Sequence, residues 1–399
     1  MPIRCCWATG SSRHPGDFWN DGPVQPAVDL ETRRAEIRRW LEDHPTPTGA
    51  ELASAGYVAP HWPEPWGLGA PADHQLLIEA ELSAHGVELP DNPIGIGWAG
   101  PTLLHAGTPD QQRRWLPGLL SGAEFWCQLF SEPGAGSDLA SLSTVARLDG
   151  DTWIVSGQKI WTTWAERARW GILLARTDPT ASKHHGISYF VCPMDAPGID
   201  VRPITEMSGG RHFTEVFFDD VAIPADHLIG VVDDGWRLAR VTLGNERVSL
   251  STGGVLWGMG PTSDEFWRII RTAGGIADPI LRQRFASVHI DAFLLELHGR
   301  RILETALAGA EPGPEASLKK LLADEHGQRL TELARDLTGA ASMLSGPDAV
   351  GPNGTPNDQP WGDWCWAYLF ARALTIGGGT TQVQRNILAE RVLGLPRET

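Results

Sequence analysis

The spacing of apolar positions changes twice along the chain. From about residue 27 to 125 they recur at helical intervals, in runs such as LETRRAEIRRWLEDH and DQQRRWLPGLL separated by Pro and Gly turns. A Pro/Gly-rich loop, HWPEPWGLGAPADHQ, interrupts them. From about 126 to 232 the runs GDTWIVSGQKIWTTWA, RWGILLART, HGISYFVCPM, IDVRPI and TEVFFDDVAIP are short, β-branched and aromatic, which predicts strands. After DDGW the helical period returns and holds through GWRLARVTLGNERVSL, the long stretches beginning DPILRQRF and ASLKKLLA, and TTQVQRNILAERVL. Its one serious break, SGPDAVGPNGTPNDQPWGDW at 345 to 364, reads as a surface loop. The predicted order is an N-terminal helical domain (1–125), a middle β domain (126–232) and a C-terminal helical bundle (233–399), an α+β chain.

A length of 399 residues exceeds one ordinary core and predicts two or three subdomains. With 42% apolar and 21% charged residues the composition is that of a globular protein. No run of 18 apolar residues exists, so no membrane span is predicted. The opening MPIRCCWATGSSRHPGDFW has no continuous apolar stretch, and a cytoplasmic location is expected. Cys5, Cys6, Cys127, Cys192 and Cys365 lack paired spacing and are read as reduced thiols. A formal charge of −16 argues against nucleic acid as a partner but leaves room for an anionic small ligand held by local donors. Most of the 18 Trp are expected in cores and interfaces. The 13 His form no metal-binding spacing, so no metal is predicted.

Two stretches carry candidate chemistry. In SEPGAGSDLASLS (131–143), Gly134, Ala135 and Gly136 would let backbone N–H groups approach a ligand, with hydroxyls from Ser131 and Ser137. An ordinary glycine turn explains the stretch equally well. In QKIWTTWA (158–165), Trp161 could stack on a planar cofactor and Thr163 donate to a ring nitrogen, or both could be strand packing. Glu132 and Asp138 read as backbone caps. Asp219 and Asp220 read as solvated residues opening a turn after a strand. His212 lies in a loop that could approach a ligand, a surface position being the simpler reading.

Together with MSGGRHFTEVFFDDVAIPADHLIG and IGGGTTQVQRNILAERVLGLPRE, these stretches resemble the acyl-CoA dehydrogenase family over nearly the whole chain. The resemblance implies a helical domain, a barrel-like middle β domain and a four-helix bundle, with FAD bound between subunits of a tetramer. It implies that Gln128, Ser131, Gly136 and Ser137 contact the cofactor, that Trp161, Thr162 and Thr163 cover one side of the isoalloxazine with Thr163 near N5, and that Thr380 and Gln382 reach it from the C-terminal turn. Ser137, Arg211 and Arg247 would face the acyl-CoA substrate. An electron-transfer flavoprotein would be the electron acceptor.

The implied reaction, α,β-dehydrogenation, needs a carboxylate near the flavin and donors for the enolate oxygen. Residues 376 to 386, IGGGTTQVQRN, look like a strand-to-helix turn, and many relatives place their base immediately before the Gly-Thr of this turn. Here that position is Gly378. In WRLARVTLGNERVSLSTGG, residues Leu238, Thr242, Glu246, Leu250 and Gly253 share one helical stripe, so Glu246 lies along a mostly apolar face. A Glu246–Arg247 pair on a solvated edge is the alternative. A subset of the family resembling isovaleryl-type dehydrogenases takes its base from a Glu-Arg on this helix, which points to Glu246, with Gly378 contributing its backbone N–H. Gly377 and Gly378 would leave room for a branched or bulky acyl group, such as a steroid side chain. RIIRTAGGIADPILRQRF departs from the Arg-x-x-Phe-Gly that clamps a neighbour's FAD, so the assembly could be a homotetramer or a heterotetramer. The alternatives are a partner subunit of a heteromeric enzyme, or a same-fold flavoenzyme using acyl-carrier-protein thioesters or oxygen.

Overall fold

A computed structural model describes residues 29–252, 263–272, 274–307, 316–344 and 363–397. The first part is helical: α1 (Leu30–Asp43), α2 (Gly49–Ser54), α3 (Ala72–Ala84), α4 (Gly100–Ala106), entered through a π-turn at Gly95–Ala99, and α5 (Pro109–Ser121). Local chemistry sets several boundaries. The Asp29 carboxylate accepts from the Glu31 and Thr32 amides, satisfying N–H groups that α1 cannot. Thr108 and Gln111 form a reciprocal capping box on α5, which stops at Gly122 in the left-handed conformation.

The middle part is a sheet of eight strands: β1 (Trp126–Leu129), β2 (Val145–Asp149), β3 (Thr152–Thr163), β4 (Trp170–Arg176), β5 (Ile187–Pro193), β6 (Ile199–Pro203), β7 (Phe213–Pro224) and β8 (Leu228–Ile229). Their order is β6-β7-β3-β2-β4-β5-β8, with β1 parallel to β4. β2 meets β4 only through Val145 and Arg176, and across this seam the two halves enclose one cluster. Val155, Val216 and Val221 enter it from one side, Leu129, Leu173 and Phe190 from the other. The opposite face of β4 and β5 is equally apolar: Ile172, Leu174, Tyr189 and Val191 join Trp115, Leu116 and Ile78 in a second core shared with the first helices. β4 and β5 are therefore continuous apolar runs, as strands covered on both sides must be.

The last part holds α6 (Gly235–Thr252), α7 (Ser263–Thr272), α8 (Pro279–Leu307), α9 (Ala316–Thr338), α10 (Trp364–Phe370) and α11 (Thr381–Ile387). α9 packs against α6, α8, α10 and α11 and runs through their centre. Phe266, Phe285, Leu330, Leu333, Trp364 and Phe370 form the third core.

Two expectations need revision. Asp219 and Asp220 lie inside β7, where one extra β7 residue makes a bulge between the pairs Val155/Val221 and Gly157/Phe218; both are exposed, and Asp220 has a positive φ of 48°. The 376–386 turn joins two helical segments, α10 with its 3₁₀ extension Ala371–Ala373 and α11; no strand enters it. α10 escapes a periodicity reading because WCWAYLF is apolar at nearly every position. The predicted surface loop at 345–364 lies outside the described residues up to 362, as do Cys5, Cys6 and Gly253, while Asp363 caps α10 by accepting from the Trp366 amide. Cys127 and Cys192 are buried thiols.

Because α9 is the common neighbour of the last helices, shortening its fully buried Leu330 to Ala should lower unfolding free energy by about 2–5 kcal/mol, measurable by denaturant titration.

Candidate active site

The glycine-rich loop begins where β1 ends. Glu132 and Ala135 exchange two backbone hydrogen bonds of 3.0 Å, closing a tight turn. A Cβ added at Gly134 or Gly136 would meet nothing within 4 Å, and Ser137 is exposed, so the outer face of the loop is open. The inner face is anchored. The Glu132 carboxylate accepts from Lys159 Nζ (2.8 Å), the Ser143 amide (2.6 Å) and hydroxyl (2.7 Å), and the Thr144 amide (2.9 Å). Lys159 also donates to the Phe130 carbonyl at 3.1 Å, and the Ile160 amide donates to the Ser131 carbonyl at 2.9 Å. This ion pair was missed as a pair, although its signal was present: Trp153, Val155, Gly157 and Lys159 alternate along β3, so Lys159 points inward.

Burial pushes the Glu132 carboxyl up, but the Lys159 charge and the surrounding donors outweigh it and leave it at about 2. Burial holds Lys159 down at about 8, with Glu132 opposing the fall. The difference between the partners follows from donor number: Glu132 collects three further donors, whereas fully buried Lys159 has only Glu132 and one carbonyl. Asp138, the other acidic residue of the loop, is not a backbone cap; it accepts from Ser141 Oγ (2.6 Å) and pairs with Lys183 on the surface.

At the far end of β3 the pairing with β7 skips from Lys159/Val216 to Thr162/Thr214, so two β3 residues face one. This bulge places Trp161 at φ 61° and turns its indole outward, 58% exposed, with Phe213 against its edge. Thr162 is fully buried, and its Oγ1 has no partner among the described residues. Trp161 is thus not strand packing, while Thr163 is half-buried beside it. The neighbouring loop is held by Glu206, which accepts from the His212 amide (2.6 Å) and lies 3.0 Å from His212 Nδ1. The imidazole packs against Trp366 and Phe370 of α10. His212 is therefore a clasp between the sheet and the last helices, correcting its reading as a surface residue. Arg211, next to it, is exposed.

Glu246 faces inward, 7% exposed, which disposes of the solvated-edge reading of its side chain. Gln128 Nε2 donates to Glu246 Oε2 at 3.2 Å, and the buried Gln128 Oε1 has no partner among the described residues. Two residues nominated for different reasons therefore touch. The Arg247 and Leu250 side chains lie outside the described residues.

The C-terminal turn has Gly378 at φ 65° and Gly379 at φ 90°, a conformation natural to glycine. The Gly377 amide donates to the Ala373 carbonyl and the Thr381 amide to the Thr375 carbonyl, whereas the Gly378 N–H has no acceptor among the described residues. Thr380 Oγ1 caps α11 through the Val383 amide (3.2 Å), and Gln382 is exposed. Gln384, not anticipated from sequence, is fully buried and donates to the Gly378 and Gly379 carbonyls at 3.1 and 3.3 Å. α9 ties this turn to α6. Its Lys320, ion-paired with Asp324, donates to the Leu374 carbonyl at 3.2 Å, and Gln328 donates to Ala371 O and Thr375 Oγ1 at 3.1 Å each, while α6 packs on the same helix.

The acyl-CoA dehydrogenase N-terminal domain matches residues 28–123, the middle domain 127–221 and the C-terminal domain 233–393. The chain belongs to the acyl-CoA dehydrogenase family. It is 45% identical over 348 residues to acyl-CoA dehydrogenase FadE34 of Mycobacterium tuberculosis, covering 87% of this chain and 46% of that one, so it spans about half the length of that relative. Acyl-CoA dehydrogenase IpdE1 of the same organism is 38% identical over 93% of this chain and 99% of its own. Among solved structures, the Tcur3481-Tcur3483 steroid ACAD superposes with a TM-score of 0.74 at 28% identity, over 94% of this chain and 100% of that one. The ChsE4-ChsE5 complex from Mycobacterium tuberculosis superposes at 0.71 and 30% identity over the same shares. FAD is the family's cofactor, and the residues present fit it: an open glycine loop, an outward indole beside it, and buried polar atoms on Gln128 and Thr162 that have no partner among the described residues.

The Glu132–Lys159 pair yields a test independent of any ligand. The folded carboxyl titrates near 2 and the free one near 4.5, so its stabilisation is fully present above pH 4.5 and lost as pH falls toward 2. Thermal melts should show Glu132→Gln flattening this acid limb. Lys159→Met, which strands the buried carboxylate, should cost about 3–5 kcal/mol at neutral pH.

Proposed function

We propose that this chain is an FAD-dependent acyl-CoA dehydrogenase with Glu246 as its base. The carrying observation is that a buried carboxylate on α6 is hydrogen-bonded to Gln128, on the strand that leads into the glycine-rich loop. The reaction removes one hydrogen from each of the α and β carbons of a thioester. FAD, when bound, supplies the acceptor for the β-hydrogen as hydride at N5. Glu246 takes the α-proton, the C–H electron pair becomes the new double bond, and no other oxidant enters the step. A thioester α-proton is too weakly acidic for an unaided carboxylate, so the developing enolate oxygen needs an oriented donor. Gly378 offers a backbone N–H in a turn braced by Gln384.

In this reading Gln128, Ser131, Gly136, Ser137, Trp161, Thr162, Thr163, Thr380 and Gln382 hold the cofactor, while Ser137, Arg211 and Arg247 serve the acyl-CoA. The 1–125, 126–232 and 233–399 divisions are its three domains, the reduced flavin passes electrons to an electron-transfer flavoprotein, and the enzyme works in the cytoplasm. Gly377 and Gly378 leave space for a branched or bulky acyl group, a reading favoured by the likeness to a steroid ACAD. Ile290, Phe293, Leu294 and Leu297 form an exposed apolar stripe on α8, which supports assembly with further chains.

One observation favours a heteromeric assembly. Between α7 and α8 the chain passes through Gly274 and Gly275, at φ 93° and 91°, where relatives with Arg-x-x-Phe-Gly clamp a neighbour's FAD. The two-name complexes among the similar structures suit a second chain there.

The purified protein should be yellow, and one class of acyl-CoA should bleach it without oxygen. Glu246→Gln should retain the flavin yet slow bleaching by about a hundred- to ten-thousand-fold. Rapid bleaching in the variant would exclude Glu246 as base, a colourless preparation would favour the partner-subunit reading, and equal turnover of short linear and bulky thioesters would exclude the bulky-substrate assignment.

A further inference from the structure

One turn before Glu246 on α6 lies Thr242, and its hydroxyl is the centre of a buried network. Thr242 Oγ1 lies 2.8 Å from Thr102 Oγ1 of α4 and 3.1 Å from the Tyr189 hydroxyl of β5. All three residues are fully buried. Thr102 Oγ1 also reaches the Trp98 carbonyl at 3.0 Å, and Thr242 Oγ1 the Leu238 carbonyl at 3.2 Å.

The proton count constrains this arrangement. Burial pushes the Tyr189 hydroxyl well above its ordinary value, so it stays protonated and can donate to Thr242. Thr242 can then donate to Thr102 and Thr102 to the Trp98 carbonyl, a chain in which every hydroxyl proton has an acceptor. No water is needed to complete it. The three residues come from the first helices, the sheet and the last helices, so one oxygen ties all three parts together. The Tyr189 ring also packs against Phe130, whose carbonyl receives Lys159 at the root of the glycine-rich loop.

α6 thus has two polar tethers to the sheet, one turn apart on one face: Tyr189 at position 242 and Gln128 at position 246. Apolar packing alone would tolerate small sliding, because dispersion contacts are not directional. A slip by a single residue would carry Glu246 about 1.5 Å along and 100° around the axis. Hydroxyls that must find one another forbid that slip.

We infer that the Thr242–Tyr189–Thr102 network registers α6 so that Glu246 meets the α-carbon of the thioester, making Thr242 a positioning residue. The inference rests on Glu246 being the base, and Glu246→Gln is therefore measured beside it.

The experiment uses the flavin-loaded protein in whatever assembly it purifies, with Thr242→Val, Thr242→Ser and Tyr189→Phe. Valine keeps the shape and removes the hydroxyl. Thr242→Val should lower kcat about 10- to 100-fold with KM changed by no more than about twofold, because the reacting atoms are misplaced while binding is kept. The isotope effect with an α-deuterated thioester should rise, and Thr242→Ser should restore both. Amide hydrogen exchange in the α6 peptides should quicken in Thr242→Val and not in Thr242→Ser, with flavin content unchanged. If Thr242→Val keeps the wild-type kcat and isotope effect while Glu246→Gln is inactive, the positioning role is wrong and the base assignment stands. If Thr242→Val sheds flavin and Thr242→Ser does not repair it, the hydroxyls serve folding and the inference is overturned. If Glu246→Gln turns over normally, the base assignment falls and takes the inference with it.

Discussion

The buried Glu132–Lys159 ion pair is the interaction around which the middle of this protein is organised. A carboxylate and an ammonium removed from water are tolerable only when oriented donors and acceptors replace the lost hydration. Meeting that demand recruits the Ser143 and Thr144 amides, the Ser143 hydroxyl and the Phe130 carbonyl. The glycine-rich loop, the start of β2 and the end of β3 are consequently bound into one rigid unit. Its inward side is saturated with hydrogen bonds, which leaves the outward side of the loop open beside Trp161.

The same economy of polar contacts recurs where the parts of the chain meet. Glu206 and His212 join the sheet to α10, Lys320 and Gln328 hold the final turn to α9, and one threonine hydroxyl links α4, β5 and α6. Apolar cores supply the area that makes each part fold, and they run continuously from the first helices across β4 and β5. Directional bonds then decide how the parts are aligned. A site assembled from three segments needs both, because a helix sliding by one residue changes every side chain it presents.

The proposed chemistry sits at these junctions. Glu246 contacts the sheet through Gln128, and α9 bridges its helix to the turn that carries Gly378. Glycine in that turn is a conformational requirement as much as a steric allowance, since Gly378 and Gly379 both take positive φ. Their carbonyls are occupied by Gln384, and the Gly378 N–H has no acceptor among the described residues. An overall charge of −16 does not prevent an anionic substrate from being held there, because donors at contact distance act over a shorter range than the screened net field.

The order helix, sheet, helix was legible because periods of 3.6 and 2 are properties of neighbouring residues along the chain. The stripe containing Leu238, Thr242 and Glu246 was legible for the same reason. Period alone could not say what those inward positions meet. That Lys159 finds Glu132, that Glu246 finds Gln128, and that Thr242 finds Tyr189 and Thr102 are contacts between residues 27 to 140 positions apart. The bulges were not legible either, because a single extra residue leaves no compositional mark: one in β7 keeps Asp219 and Asp220 within a strand where a turn was expected, and one in β3 swings Trp161 outward. By itself the sequence determined the order helix, sheet, helix and the faces of its clearly periodic elements. Tertiary structure decided their alignment and partners, because a buried polar atom must be satisfied by whichever chain segment packing brings within about 3 Å.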